Sequence, residues 1–184
     1  AYFEAGADAV YTCTFGANRL KLKEFNLHES VLDMNRRLAA ISREVASDDH
    51  YVVGDLSPTG ELVEPFGPLP FDQAVDIYKE QITGLVEGGV DFLMIETMVD
   101  VQEARAAVLA AREVCSLPVC VSLTFDESAR TLTGSGPATA VLTLQALGAD
   151  AIGCNCSTGP RPMRNVIRQM ADVASVPLLA LPNA

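Results

Sequence analysis

The tetrapeptide Gly153-Cys154-Asn155-Cys156 puts two thiols at the end of a short apolar run, Ala151-Ile152. A side chain at the tip of a buried strand points into the mouth of a sheet or barrel, where α/β folds gather their reactive groups. A thiolate there can ligate zinc or act as a nucleophile. Cys154 and Cys156 share strand parity, so simple alternation would turn both to one face. The deeper Cys154 suits the core and Cys156 suits the site. For either, the plain alternative is a packed structural cysteine. The two histidines, His28 and His50, lie in polar, helix-like contexts far along the chain, so a Cys–His nucleophile pair has little support.

Three other positions carry candidate chemistry. Glu96 follows the apolar run Phe92-Leu93-Met94-Ile95. A carboxylate there is costly to bury unless paired, and it could hold a substrate ammonium group or simply bond a loop amide. Thr12 and Thr14 share one face of a strand, where hydroxyls either bind a substrate carboxylate or fill a barrel layer. Ser57-Pro58-Thr59-Gly60 and Thr131-Leu132-Thr133-Gly134-Ser135-Gly136-Pro137 read as turns, with a rim or lid as the functional alternative.

A repeated signal places these residues on strands. Gly6-Ala7-Asp8, Gly89-Val90-Asp91 and Gly148-Ala149-Asp150 each end a helical pattern and precede an apolar run. Glycine supplies the left-handed backbone that ends a helix. Leu117-Pro118 and Val176-Pro177 introduce two more runs, and another follows Ser47-Asp48-Asp49-His50. The predicted strands are 9–15, 51–56, 92–97, 119–125, 151–156 and 177–182. Between them, Leu27, Val31, Met34, Leu38, Ile41 and Val45 form one helical stripe, and Val75, Tyr78, Ile82, Leu85 and Val86 another. Residues 101–114 read as an alanine-rich helix that Asp100 and Glu103 can cap. Shorter helices fit 137–147 and 162–174. Strict β-α alternation without hairpin signals predicts a parallel sheet with crossover helices. No glycine-rich phosphate fingerprint follows the first strand. Polar residues instead collect at nearly every strand end: Thr12, Thr14, Asp55, Ser57, Glu96, Thr97, Thr124, Asp126, Asn155, Cys156 and Asn183. Chemistry spread over many strand ends favours a (β/α)8 barrel over a doubly wound sheet.

Bulk composition sets limits on function. The 184 residues are 49% hydrophobic, enough for one core and thin for two domains. A net charge of −11 without a basic patch argues against a nucleic-acid partner. The apolar runs are too short to cross a bilayer, and no signal peptide opens the chain. The five cysteines lack a disulfide-framework spacing, so free thiols in a reducing cytoplasm are expected.

Taken together, the motifs resemble the homocysteine S-methyltransferase family, in particular the homocysteine-binding domain of its cobalamin-dependent branch. The matching stretches are Ala5-Gly6-Ala7-Asp8 with Thr12-Cys13-Thr14-Phe15; Gly54-Asp55-Leu56-Ser57-Pro58-Thr59-Gly60; 91–97 with Glu96; Leu123-Thr124-Phe125-Asp126 with Leu132-Thr133-Gly134; Gly153-Cys154-Asn155-Cys156-Ser157-Thr158-Gly159-Pro160; and Pro182-Asn183-Ala184. The resemblance spans the whole chain. It implies a partial homocysteine-binding barrel domain over 1–184, an incomplete TIM barrel holding about strands two to seven. It also implies a zinc bound by three cysteines. Cys156 matches the one in Gly-x-Asn-Cys, and the other two form an adjacent pair beyond Ala184. By the same resemblance Glu96 would bind the substrate ammonium and Thr12 would lie in the amino-acid pocket. From its position next to Cys156, Asn155 is expected to orient the loop beneath the metal.

The expected reaction is zinc-dependent methyl transfer to the thiol of homocysteine, giving methionine. Methylcobalamin is the expected donor, with pterin- and cobalamin-binding domains downstream. Loop 60–65 resembles the cobalamin-dependent branch; S-methylmethionine or betaine is the alternative donor. A barrel lyase would need a Schiff-base lysine or a phosphate site, and no lysine stands at a strand end. A non-catalytic barrel fragment is the remaining alternative. The chain read as an internal fragment is expected to be inactive alone, because it would carry one of three metal ligands and two open sheet edges.

Overall fold

Alternation between strand and helix follows from strands that are buried on both sides, which only a layer of crossover helices can achieve. The structure, a computed structural model, describes residues 2–183; Ala184, the end of the Pro182-Asn183-Ala184 motif, lies outside them. The strands are β1 (Ala9–Tyr11), β2 (Tyr51–Leu56), β3 (Phe92–Met98), β4 (Val119–Leu123), β5 (Ala151–Asn155) and β6 (Leu178–Leu181). The helices are α1 (Arg19–Lys23), α2 (Val31–Ala46), α3 (Phe71–Glu87), α4 (Val101–Val114), α5 (Pro137–Ala146) and α6 (Pro160–Ala171), with short 3-10 turns at Phe3–Ala5 and His28–Ser30. All six strands are parallel and each lies beside its sequence neighbour, in the order β1-β2-β3-β4-β5-β6. The order never reverses, as it would in a doubly wound sheet. The fold is an incomplete (β/α)8 barrel.

Strand register divides the side chains cleanly. Tyr11 pairs with Val53, Asp55 with Met94, Met94 with Cys120, Ser122 with Gly153, and Asn155 with Leu181. Paired residues in parallel strands face the same way, so these line the inner face. The alternate set, including Val52, Leu56, Leu93, Ile95, Val119, Val121, Ile152 and Cys154, packs with the helices in the main core. Gly153 has a steric reason to be glycine, because a Cβ there would lie 2.0 Å from the Leu179 carbonyl oxygen of β6.

The Gly-x-Asp repeat is a physical joint at the amino ends of the strands. Gly89 and Gly148 adopt φ of 87° and 97°, the left-handed region that glycine enters freely. Asp91 then accepts from the Val52 N–H at 2.6 Å and pairs with Arg43 of α2, which also donates to the Gly89 carbonyl at 3.0 Å. The same joint recurs one pair of units later. Asp150 accepts from the Val119 N–H at 2.7 Å and from Arg112 at 2.5 Å, and Arg112 also donates to the Gly148 carbonyl.

Two expectations about the helices change. Of the apolar stripe proposed for α2 only Val31 is fully buried: it joins Asn35, Ala39 and Ala46 on the buried face, whereas Ile41 and Val45 are 59% and 68% exposed and Leu27, which precedes the helix, is 41% exposed. The buried face lies about a quarter turn away. Close approach explains it: a Cβ on Gly84 of α3 would stand 2.5 Å from the Leu32 carbonyl oxygen, and one on Gly88 would stand 2.5 Å from the Ala39 Cβ. Contact this tight takes alanine and asparagine rather than the larger stripe. The second change concerns Glu103. Asp100 caps α4 as expected, accepting from the N–H groups of Gln102 and Glu103. Glu103 instead turns inward. One of its oxygens, Oε1, accepts from the Thr59 N–H at 2.6 Å and the Thr59 hydroxyl at 2.7 Å, and it shares the Tyr78 hydroxyl proton, at 3.0 Å, with the Ser57 carbonyl, also at 3.0 Å.

Glu103 and Tyr78 are 1% and 0% exposed, and this cluster fixes the loop after β2 to two helices. Tyr78→Phe removes one donor from a buried carboxylate. It should lower unfolding free energy by about 2 kcal/mol, read from urea denaturation. A change below about 0.5 kcal/mol would show that the Thr59 donors alone satisfy Glu103.

Candidate active site

The carboxyl ends of the strands carry the candidate site residues, and Asn155 ties several of them together. Its Oδ1 accepts from the Thr97 N–H at 3.1 Å and the Ser122 hydroxyl at 2.8 Å. Its Nδ2 donates to the Thr97 hydroxyl at 2.8 Å and to the Cys156 Sγ at 3.3 Å. A carboxamide offers two acceptor sites and two donors, so Asn155 is saturated. It joins β3, β4 and the tip of β5.

Thr97, which receives half of those bonds, has φ 61°. A β-branched residue in the left-handed region is a true outlier and persists only where its surroundings hold it. The strain coincides with a shift in β3–β4 register between Ile95 and Met98. The shift re-aims the end of β3 just beyond Glu96.

Cys154 and Cys156 part company at the strand tip. Cys154 is 2% exposed and packs among the helix-side hydrophobic residues, and burial pushes its thiol up to about 11. Cys156 lies past the end of β5 with φ 55°, followed by Ser157 at φ 58°. This left-handed pair breaks the alternation that would have put both thiols on one face, and it leaves Cys156 exposed. The Cys156 N–H still donates to the Leu181 carbonyl at 3.1 Å, so the bend is anchored to β6.

Glu96 and Thr12 occupy different settings. Glu96 is partly buried, and burial raises its carboxyl above the ordinary range. None of the ion pairs or side-chain hydrogen bonds among the described residues reaches it. Thr12, 3% exposed, accepts from the Asp55 N–H at 3.0 Å and lies 2.6 Å from the Thr14 hydroxyl. Thr14 spends its proton on the Asp55 carbonyl at 2.8 Å, so Thr12 must donate to Thr14. With its one proton committed, Thr12 clamps β1 to β2.

In the sequence Asp55 stands as one of many strand-end polar residues and as part of the Gly54-Asp55-Leu56-Ser57-Pro58-Thr59-Gly60 stretch, with no role attached. It faces inward, is 6% exposed, and its Oδ1 lacks a hydrogen-bond partner among the described residues. Burial first, and then the Glu96 charge, push its carboxyl up to about 7. The signal available beforehand was an aspartate at inward parity in the run Tyr51-Val52-Val53-Gly54-Asp55-Leu56.

The Asp55 carboxyl has a definite consequence for stability. Between its ordinary pKa of 3.8 and its folded value of about 7, the folded state keeps a proton that the unfolded chain has released. Stability attributable to Asp55 therefore falls as pH rises through that window and levels off above it. Asp55→Asn should melt close to the parent near pH 4 and gain on it toward pH 8, by at most ~4 kcal/mol. Parallel melting-temperature curves for the two proteins from pH 4 to 8 would contradict this.

The homocysteine S-methyltransferase family model matches residues 1–184. Methionine synthase of Mycobacterium leprae is 35% identical over 194 aligned positions, covering 100% of this chain. Methionine synthase of Mycobacterium tuberculosis is 34% identical over the same span. The chain corresponds to 16% of the length of either relative. Among solved structures, the metallated form of the homocysteine methyltransferase MmuM from Escherichia coli superposes with a TM-score of 0.84 at 19% identity, covering 100% of this chain and 69% of that one. That likeness is one of fold. On the full-length family match, the chain belongs to the homocysteine S-methyltransferase family.

Proposed function

We propose that this chain is the homocysteine-binding part of an enzyme that methylates homocysteine to methionine, with zinc at the site and methylcobalamin as the methyl donor. The observation that carries the reading is the exposed Cys156 thiol, presented by a left-handed bend at the same end of the sheet as the unpaired Glu96. Relatives called methionine synthase and the family match support the substrate and product. Those relatives are much longer than the matched segment, in keeping with pterin- and cobalamin-binding domains elsewhere in the protein.

The reaction needs the substrate thiol to lose its proton. The sulfur then forms a bond to the methyl carbon while the donor–methyl bond breaks and its electrons stay with the donor. A free thiol, with a pKa near ~8.5, is mostly protonated at neutral pH. Zinc, when bound, supplies Lewis acidity that favours the thiolate. Among the described residues no three His, Cys, Asp or Glu side chains converge on one point, so this chain would contribute a single ligand, Cys156. Its donor chemistry fits: it is an accessible thiol, and the Asn155 Nδ2 donates a hydrogen bond to its sulfur. Asn155 orients Cys156, Glu96 holds the substrate ammonium, and Thr12 shapes the amino-acid pocket by fixing the Asp55 backbone.

Cys156→Ala, made in the protein that carries this sequence, should abolish zinc retention and homocysteine methylation together. Cys154→Ala should keep both and lose stability through its packed position. Normal metal content in the Cys156 variant would sink the assignment. Glu96→Gln should leave zinc content unchanged and weaken homocysteine binding about 10- to 100-fold, the loss expected for one charge-assisted contact. Zinc loss with intact substrate affinity would assign Glu96 to the metal instead.

A further inference from the structure

Ser122 of β4 belongs to the Asn155 network and has no part in the function proposed above. It is fully buried and stands in register with Gly153, the inward residue of β5 one step before Asn155. Gly153 places no side chain in the way, so the Asn155 carboxamide reaches back and its Oδ1 meets the Ser122 hydroxyl at 2.8 Å. That oxygen is the one partner of the hydroxyl among the described residues. The Thr97 N–H of β3 donates to the same oxygen at 3.1 Å.

A carboxamide fits one space in two ways, related by a half-turn that exchanges its oxygen and nitrogen. The Oδ1 end decides between them here. The Thr97 N–H can only donate, so it requires the oxygen. The Ser122 hydroxyl could accept from a nitrogen, but its own proton would then be buried without an acceptor. The Nδ2 end is less exacting. The Thr97 hydroxyl, which accepts there at 2.8 Å, can donate as well as accept, and so can a protonated thiol. A metal-bound sulfur cannot, because it has lost its proton and only accepts. With the amide turned over, an oxygen would face that sulfur, one electron-rich atom against another. The two donors at Oδ1 oppose that turn. One belongs to the strained backbone of Thr97, and the other, from Ser122, sits on a regular strand.

We propose that Ser122 is a positioning residue for Cys156: its buried proton holds the Asn155 Oδ1, which keeps Nδ2 on the Cys156 sulfur when that sulfur binds metal. The inference rests on the zinc reading above. Ser122 acts through Asn155, two hydrogen bonds from the sulfur. The N–H donor draws charge from the sulfur and lowers the energy of its lone pairs. It also fixes the direction of a thiol that stands exposed on a left-handed bend. Without the Ser122 proton, the Thr97 N–H alone holds Oδ1, and the amide can pivot away from Cys156.

Cobalt(II) in place of zinc makes the sulfur visible. A thiolate bound to cobalt gives a charge-transfer absorption whose energy rises when the sulfur accepts a hydrogen bond. The protein that carries this sequence, loaded with cobalt or with zinc, is compared with its Ser122→Ala and Ser122→Thr variants. Ser122→Ala should move the band to longer wavelength and weaken zinc about tenfold or more in competition with a chelator. Ser122→Thr keeps the hydroxyl and should keep the parent's band. An unshifted band in Ser122→Ala overturns the proposal and leaves the zinc reading intact, even if zinc is lost, since a weakened fold alone would lose zinc. A parent without any thiolate-to-cobalt absorption overturns both. Should Ser122→Ala not fold, Ser122→Cys replaces it, because a thiol is close in size and a weak donor. An unshifted band in that variant refutes the proposal equally.

Discussion

The Asn155 carboxamide is the constraint on which the carboxyl face depends. Three strand ends meet there, and a carboxamide is one of few side chains able to accept twice and donate twice from one plane. Its four bonds take up the Thr97 N–H and hydroxyl, the Ser122 hydroxyl and the Cys156 sulfur. Two of the backbone positions that it touches, Thr97 and Cys156, are left-handed without being glycine. Strain of that kind is released unless something over-determines it. Each of the two side chains is aimed by the bend it sits on and locked by the same amide. An aspartate at 155 would keep the acceptors and lose both donors, including the one directed at the sulfur.

This lock explains how one strand can serve the core and the site within three residues. β5 stays regular through Cys154, whose thiol is buried with the helices, and Asn155, which faces inward. The left-handed turn at Cys156 and Ser157 then swings the next thiol out of the alternating pattern. The two cysteines thus differ in burial for a backbone reason. Cys154, pushed up to about 11 by burial, is inert as a thiolate, while Cys156 stands accessible.

Much of the fold was legible in the sequence because its signals are local. The Gly-x-Asp repeat marks strand starts through a glycine φ and an aspartate bonding the neighbouring strand, and both are written in three residues. The α4 helix was bounded at 101–114 from alanine content and the Asp100 cap, and it occupies Val101–Val114. What escaped the sequence is set by contacts far along the chain. The α2 stripe misled because Gly84 and Gly88, some forty residues on, let α3 approach too closely for the larger side chains. Glu103 was read as part of a cap, yet its partners Thr59 and Tyr78 come from other units. The 9–15 strand ends at Tyr11, because the Thr12 and Thr14 hydroxyls bond to Asp55 and each other. Of the candidate site residues, Cys156 and Asn155 stand in one motif of the sequence, whereas the pairing of Asn155 with Thr97 needed the sheet.

The inner face combines strong backbone order with unresolved charge. Glu103 shows how this chain treats a buried carboxylate meant for structure: it gives one oxygen three donors at 2.6 to 3.0 Å. Asp55 is buried nearly as well, and its Oδ1 is given none among the described residues. The contrast lies within one unit, since Asp55 is on β2 and Thr59, four residues later, is bonded to Glu103. Donors were available nearby too: the Thr14 hydroxyl donates to the Asp55 carbonyl, and the Thr12 hydroxyl, which accepts from the Asp55 N–H, gives its proton to Thr14. The chain thus holds Asp55 through its backbone and Glu103 through its side chain. The two buried carboxylates differ in what fixes them: Glu103 ties the loop after β2 to α4, whereas Asp55 is the point at which β1 is clamped to β2.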